Sequence, residues 1–193
     1  MSQSLAVLLF ILSLGVTTPS PAQTHDVQTP DTLGAAFDAE AIGKGTPHDY
    51  DFLVGTWSFR FQQMGESGYR PAEDGIWTIR MIHDGLVVED VWRKEETDNP
   101  TITYRIYDPV LERWNLQGFK PRTGTWDPGV SWSDEAHRFV VQTCGGQVLA
   151  RIRYYEIRPD AFRWRADGSL DEGATWIPDL WKMDATRVRE GGS

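Results

Sequence analysis

The stretch Ile76-Trp77-Thr78-Ile79-Arg80-Met81-Ile82-His83-Asp84-Gly85-Leu86-Val87-Val88-Glu89-Asp90-Val91-Trp92-Arg93 decides how this chain folds. Two apolar-rich runs flank Asp84-Gly85, a two-residue connection of the kind that favours a type I′ turn. A tight turn there sets Trp77, Ile79, Met81 and His83 against Trp92, Asp90, Val88 and Leu86 on one face. The other face carries Arg80 opposite Glu89, framed by Ile82–Val87 and Thr78–Val91. An opposite-charge pair among apolar neighbours is more than a solvated stripe needs. The pair has two placements open to it, inside a closed sheet or as a salt bridge on its outer wall.

The same period of two extends in both directions. Residues 55–62 put Trp57, Phe59 and Phe61 on one face and Ser58, Arg60 and Gln62 on the other, which describes a half-buried strand. Residues 101–108 read as a strand, and Asp108-Pro109 turns the chain into 112–119. Gly145-Gly146 joins 138–144 to 147–157 as a second two-residue hairpin. Its register predicts Phe139, Val141, Thr143, Val148, Ala150 and Ile152 on one apolar face. Runs at 162–166 and 176–188 complete the series. Roughly nine or ten strands with hairpin spacing, and no helix after residue 47, predict an all-β, antiparallel up-and-down barrel. Closure is preferred to a two-sheet sandwich because it removes the exposed edges of so long a meander.

Composition narrows the function classes. Across 193 residues, 28 acidic against 19 basic side chains give a formal net charge of −9, a field that repels nucleic acid. One cysteine, Cys144, excludes an internal disulfide framework and any cysteine-rich zinc site. Nine Trp, six Tyr and eight Phe supply enough aromatic surface to line an apolar pocket.

The N-terminal region reads as an export signal. Residues 5–16 are almost wholly apolar, too short for a bilayer span but suited to a secretory core, and Ser20-Pro21-Ala22 offers a small-residue cleavage site. Residues 1–22 are therefore expected to be removed, leaving no membrane anchor and a periplasmic or secreted destination. Residues 23–47 form a polar leader in which Asp31 could cap a short helix over 32–42. The barrel domain is expected over 48–190, with 191–193 as a tail.

Four blocks in order carry a family resemblance: Tyr50-Asp51-Phe52-Leu53-Val54-Gly55-Thr56-Trp57, Gly85-Leu86-Val87-Val88-Glu89-Asp90-Val91-Trp92, Tyr107-Asp108-Pro109-Val110-Leu111-Glu112-Arg113-Trp114, and Asp171-Glu172-Gly173-Ala174-Thr175-Trp176 leading to Met183-Asp184-Ala185-Thr186-Arg187. Together they resemble the DUF1579 family, lipocalin-like bacterial proteins without a settled function. The resemblance implies a calycin-type barrel whose Gly-x-Trp motif sits at the closed end, with Trp57 packed against the late arginine, Arg187.

Chemistry is less legible. His25, His48, His83 and His137 form no metal-ligating pair, and His48 beside Asp49 and Asp51 suits a turn before the first strand. The nitrobindins, a related barrel family, hold haem through a histidine near the C-terminal end; here none lies beyond His137. No metal or cofactor is expected, and no nucleotide or nucleophile motif occurs. The candidate ligand-binding residues are Arg80, Glu89, Arg105, Tyr107 and Trp114, which would orient a small, mostly apolar or amphipathic molecule inside the barrel. Two alternatives accompany that reading: an acid/base enzyme of isomerase or hydratase type using Glu89 or Asp90, and a solid-cored structural or partner-binding module.

Overall fold

The structure is a computed structural model that describes residues 42–189. The expected signal peptide, the helix over 32–42 save its last residue, and the tail lie outside the described residues. Eleven strands follow one another: β1 (Gly55–Gly65), β2 (Gly68–Tyr69), β3 (Glu73–Ile82), β4 (Val87–Lys94), β5 (Thr101–Asp108), β6 (Arg113–Lys120), β7 (Thr125–Ser133), β8 (Arg138–Cys144), β9 (Val148–Tyr155), β10 (Ala161–Ser169) and β11 (Ile177–Arg187). β1 pairs antiparallel with both β2 and β3, each strand from β3 onward pairs antiparallel with the next, and β11 returns to pair with β1. The result is a closed barrel of ten strands, since β2 is a two-residue ribbon on the end of β1. The up-and-down barrel read from the alternation is the fold found.

The deciding hairpin has the register its turn dictates. Arg80 pairs with Glu89, Ile79 with Asp90 and Trp77 with Trp92. Asp84 and Gly85 both have positive φ, at 58° and 84°, and Leu86 N–H closes the turn on His83 C=O. These are the dihedrals of a type I′ turn, whose twist suits a hairpin.

The second hairpin departs from expectation. Gly145 and Gly146 adopt the same positive φ, but Gln147 remains as a third loop residue, so Cys144 pairs with Val148 and Gln142 with Ala150. A one-residue shift exchanges the faces of an entire strand. Val140, Gln142 and Cys144 therefore share the inner face with Val148, Ala150 and Ile152, whereas Phe139, Val141 and Thr143 face outward. Asp127 holds the loop there: its carboxylate accepts from Gly146 N–H at 2.9 Å and from the Thr143 hydroxyl. The outward Val141 joins Val130 and Leu149 in a second apolar cluster, covered by Ile42, Trp132 and Trp176.

Strand β7 is the element that sequence reasoning passed over, because Asp127-Pro128-Gly129 reads as a turn. Its ladder to β8 begins only at Gly129, so Pro128 lies beyond the residues that would need its missing N–H for that ladder.

Inward side chains pack an aromatic core through the lower barrel. Phe59 stacks on Trp92 at 4.8 Å, and Phe162 meets Trp57 edge-on at 4.8 Å. Gly75 permits the first contact, since a Cβ there would fall 2.2 Å from the Phe59 ring and from Arg93 C=O. Residues 42–54 cross the end of the barrel nearest this core and close it. Trp57 Nε1–H donates to Leu53 C=O at 2.8 Å, and the buried Asp49 carboxylate accepts from Thr46 N–H, the Thr46 hydroxyl and the Ser133 hydroxyl. His48 joins the turn beside it through Asp51.

Candidate functional site

The closed end and the loop-bearing end of the barrel differ in filling. Between the core and the loops that follow β4, β6 and β8 lies a cavity of about 380 Å³. That volume falls in the range of small-molecule sites. Phe61, Trp77, Trp92, Tyr154, Trp164 and Trp181 form its walls, with Ile152 and Met183. They come from six strands, β1, β3, β4, β9, β10 and β11, because each inner face presents every second residue to the lumen.

A buried ion pair sits on this wall. Asp90 on β4 and Arg105 on β5 are 2% and 3% exposed, and Arg105 Nη1–H donates to Asp90 Oδ2. Thr103 is the direct partner of Asp90 across the strands, and Arg105 lies two residues further along the same face. Such diagonal neighbours are within reach of a long side chain. The second carboxylate oxygen, Oδ1, accepts from Trp77 Nε1–H at 2.8 Å. The Arg105 guanidinium carbon lies 4.9 Å from the Tyr50 ring, which belongs to the segment closing the barrel. Arg105 Nε–H has no hydrogen-bond partner among the described residues. An unsatisfied donor on a buried cation is costly, and Arg105 borders the cavity.

The surroundings set the protonation of neighbouring groups. Burial pushes the Tyr154 phenol well above its usual value, opposed by the Arg105 charge, so it remains a hydroxyl. Cys144 also lines the cavity, and burial pushes its thiol up to about 12. A thiol kept protonated at neutral pH is a poor nucleophile. Toward the mouth, Lys94 is bound by Glu73 at 2.8 Å and lies over the Phe61 ring, whereas Lys120 has no acidic partner among the described residues. The Asn99 carbonyl oxygen at the same rim is likewise unpartnered there.

The five sequence-nominated residues separate into three groups. Arg105 lines the cavity. Arg80 and Glu89 lie on the outer wall, the second of their two open placements; the Arg80 side chain is 68% exposed, and Glu89 accepts from it and from Tyr104 at 2.9 Å. Arg80 first, and Tyr104 with it, holds the Glu89 carboxyl below its usual range. The physical reason is parity: Asp90 shares the face of Trp77 and Ile79, so Glu89 must point away. Tyr107 and Trp114 face inward but at the closed end, where they donate to Gly45 C=O at 3.1 Å and Thr46 C=O at 2.9 Å. They fasten the 42–54 segment and do not border the cavity.

Neither carboxylate nominated as a general base is free. Glu89 is outside the barrel, and both oxygens of Asp90 are engaged by donors, one of them a cation. The wall residues missed in the sequence include Tyr154, Trp92, Trp164 and Trp181, all legible in principle from inner-face parity once the register of each hairpin is known. Among the described residues no group of three or more His, Cys, Asp or Glu side chains is placed to hold a metal ion.

Comparison with known proteins bears on the fold. No family model matches the chain, and no curated protein does. Among solved structures, Rv2717c from M. tuberculosis superposes with a TM-score of 0.53 at 12% identity, over 76% of this chain and 100% of that one. The S-type phycobiliprotein lyase CPES from Guillardia theta superposes with a TM-score of 0.50 at 9% identity, over 74% of this chain and 92% of that one. At such identities the likeness is one of fold, and the fold is a lipocalin-like barrel.

Proposed function

We propose that this chain is an exported member of the DUF1579 group that binds one small, mostly apolar molecule inside its barrel. The observation that carries the reading is the cavity of about 380 Å³, walled by aromatic rings and bearing the buried Asp90–Arg105 ion pair. Aromatic walls stabilise a ligand by removing its apolar area from water, at about 25 cal/mol per Å² before the cost of immobilisation. Arg105 supplies orientation. The hollow interior favours ligand binding over a solid structural core, and the pairing of Asp90 with Arg105 favours binding over acid/base chemistry. The phycobiliprotein lyase lends a shape and not an activity. Export to the periplasm or medium rests on residues 5–22.

Titration with N-phenyl-1-naphthylamine, an uncharged apolar fluorophore, tests the binding. Saturable 1:1 uptake is expected, and native mass spectrometry of the purified protein is expected to show a co-purified small molecule. Absence of both overturns the reading. Intact mass of the exported chain tests cleavage after Ala22.

A further inference from the structure

Resting on that reading, we infer that the cavity selects a planar aromatic or conjugated molecule whose buried end is an uncharged carbonyl oxygen that accepts from Arg105 Nε–H. Three observations converge on this chemistry. Arg105 is 3% exposed, borders the cavity and has an Nε–H without a partner among the described residues, so this one donor on the wall is unused. The Tyr154 phenol, held protonated, is a second donor on the same wall. Each oxygen of the buried Asp90 carboxylate already accepts a hydrogen bond, from Trp77 and from Arg105.

Charge decides between a carbonyl and a carboxylate. Asp90 and Arg105 already sum to zero in a buried setting. A ligand carboxylate at Arg105 would leave one uncompensated negative charge beside Asp90, which a dry interior disfavours strongly. A neutral carbonyl satisfies the Nε–H and adds no charge. At the rim the charges are mixed, since Lys120 and the buried Asp127 carboxylate both border the cavity. The body of the ligand must be flat and apolar to lie among Trp77, Trp92, Trp164 and Tyr154. Size agrees: 380 Å³ is the liquid volume of roughly a dozen waters, enough for one or two fused rings with a short substituent.

Three naphthalenes of nearly equal size separate the terms: 2-ethylnaphthalene, 2-acetylnaphthalene and 2-naphthoate, each measured by equilibrium dialysis against the full mature chain. The ketone is expected to bind about tenfold or more tighter than the hydrocarbon, as one charge-assisted hydrogen bond warrants. Naphthoate is expected to bind more weakly than the ketone. Arg105→Lys keeps a cation for Asp90 and removes the Nε–H; it is expected to bring the ketone down to the affinity of the hydrocarbon. Should that variant not fold, the ratios on the wild-type protein stand alone as the test. A ketone no tighter than the hydrocarbon, a naphthoate tighter than the ketone, or a ketone advantage that survives Arg105→Lys overturns the inference while the binding reading stands. Failure of all three probes to bind overturns both.

Discussion

The Arg187 guanidinium lies over the Trp57 indole, its central carbon 4.1 Å from the ring centroid, and donates to three backbone carbonyls at once. Nη1 reaches Val54 at 2.6 Å, Nη2 reaches Phe52 at 2.7 Å, and Nε reaches Pro159 at 2.7 Å. One side chain from the last strand thus ties the entry of the first strand to the β9–β10 loop and seals the barrel where β11 meets β1. Gly55 makes room for it, since a Cβ there would fall 2.4 Å from Nη1. The family resemblance implied the Trp57–Arg187 contact; the three carbonyls explain why an arginine serves where a lysine would not.

Arg187→Met should therefore cost more than a cation–π contact alone. We expect about 2–3 kcal/mol from the lost hydrogen bonds and ring contact, read as a lower urea midpoint at unchanged slope. Trp57→Leu combined with Arg187→Met should show a coupling of about 1 kcal/mol.

The Asp90–Arg105 pair gives an asymmetric prediction. Asp90→Ala leaves a buried cation and the Trp77 indole N–H without their acceptor and should destabilise by about 3–5 kcal/mol. The double variant Asp90→Leu, Arg105→Met removes both charges and should recover most of that loss in thermal denaturation. A double variant as unstable as the single one would show that the pair stabilises the fold by itself.

Glu89 is on the outer wall, so Glu89→Gln should leave uptake of an apolar probe unchanged and cost about 0.2–1 kcal/mol at pH 7. The sign with pH follows from the lowered carboxyl. Its contribution is complete above the ordinary carboxylate value of about 4.3 and is lost as pH falls through the lower folded value. Denaturation of both proteins between pH 7 and pH 2 should show their stabilities converging at the acid end.

Cys144 is the only cysteine of the chain and borders the cavity. With its thiol pushed up to about 12, alkylation by iodoacetamide at pH 8 should be slower than for a free cysteine by a factor on the order of 1,000, the ratio of the thiolate fractions. An occupied cavity should slow it further. Mass spectrometry of timed samples reads both effects.

Gly75→Ala introduces a methyl where the Phe59 ring and Arg93 C=O already meet the backbone. The ring must leave its stack on Trp92, at a cost of about 1–3 kcal/mol. Loss of near-ultraviolet ellipticity together with a lower melting temperature checks it.

Much of this molecule was written in local alternation. Trp57, Phe59 and Phe61 share a face because a strand has a period of two, and Asp84-Gly85 fixes the register of β3 on β4 because a I′ turn admits only one pairing. Those two facts already set Asp90 on the side of Trp77 and Ile79, and so implied that Arg80 and Glu89 point outward. The apolar weight of the two faces was the signal, and the charge pair distracted from it. The loop after β8 shows the limit of the same reasoning: whether Gln147 belongs to the turn or the strand depends on Asp127, a residue from β7 that no local pattern associates with it. Arg105 meeting Asp90 likewise needed the register across residues 95–100, a loop too long for its sequence to dictate one. By itself, then, the sequence determined that the chain would form antiparallel strands and which residues alternate along each. Tertiary structure alone decided which inward residues border empty space and which, like Tyr107 and Trp114, are taken up by the segment that closes the barrel. The reason is that alternation is a property of one strand's backbone, whereas a cavity is what remains after all ten strands and the 42–54 segment have packed.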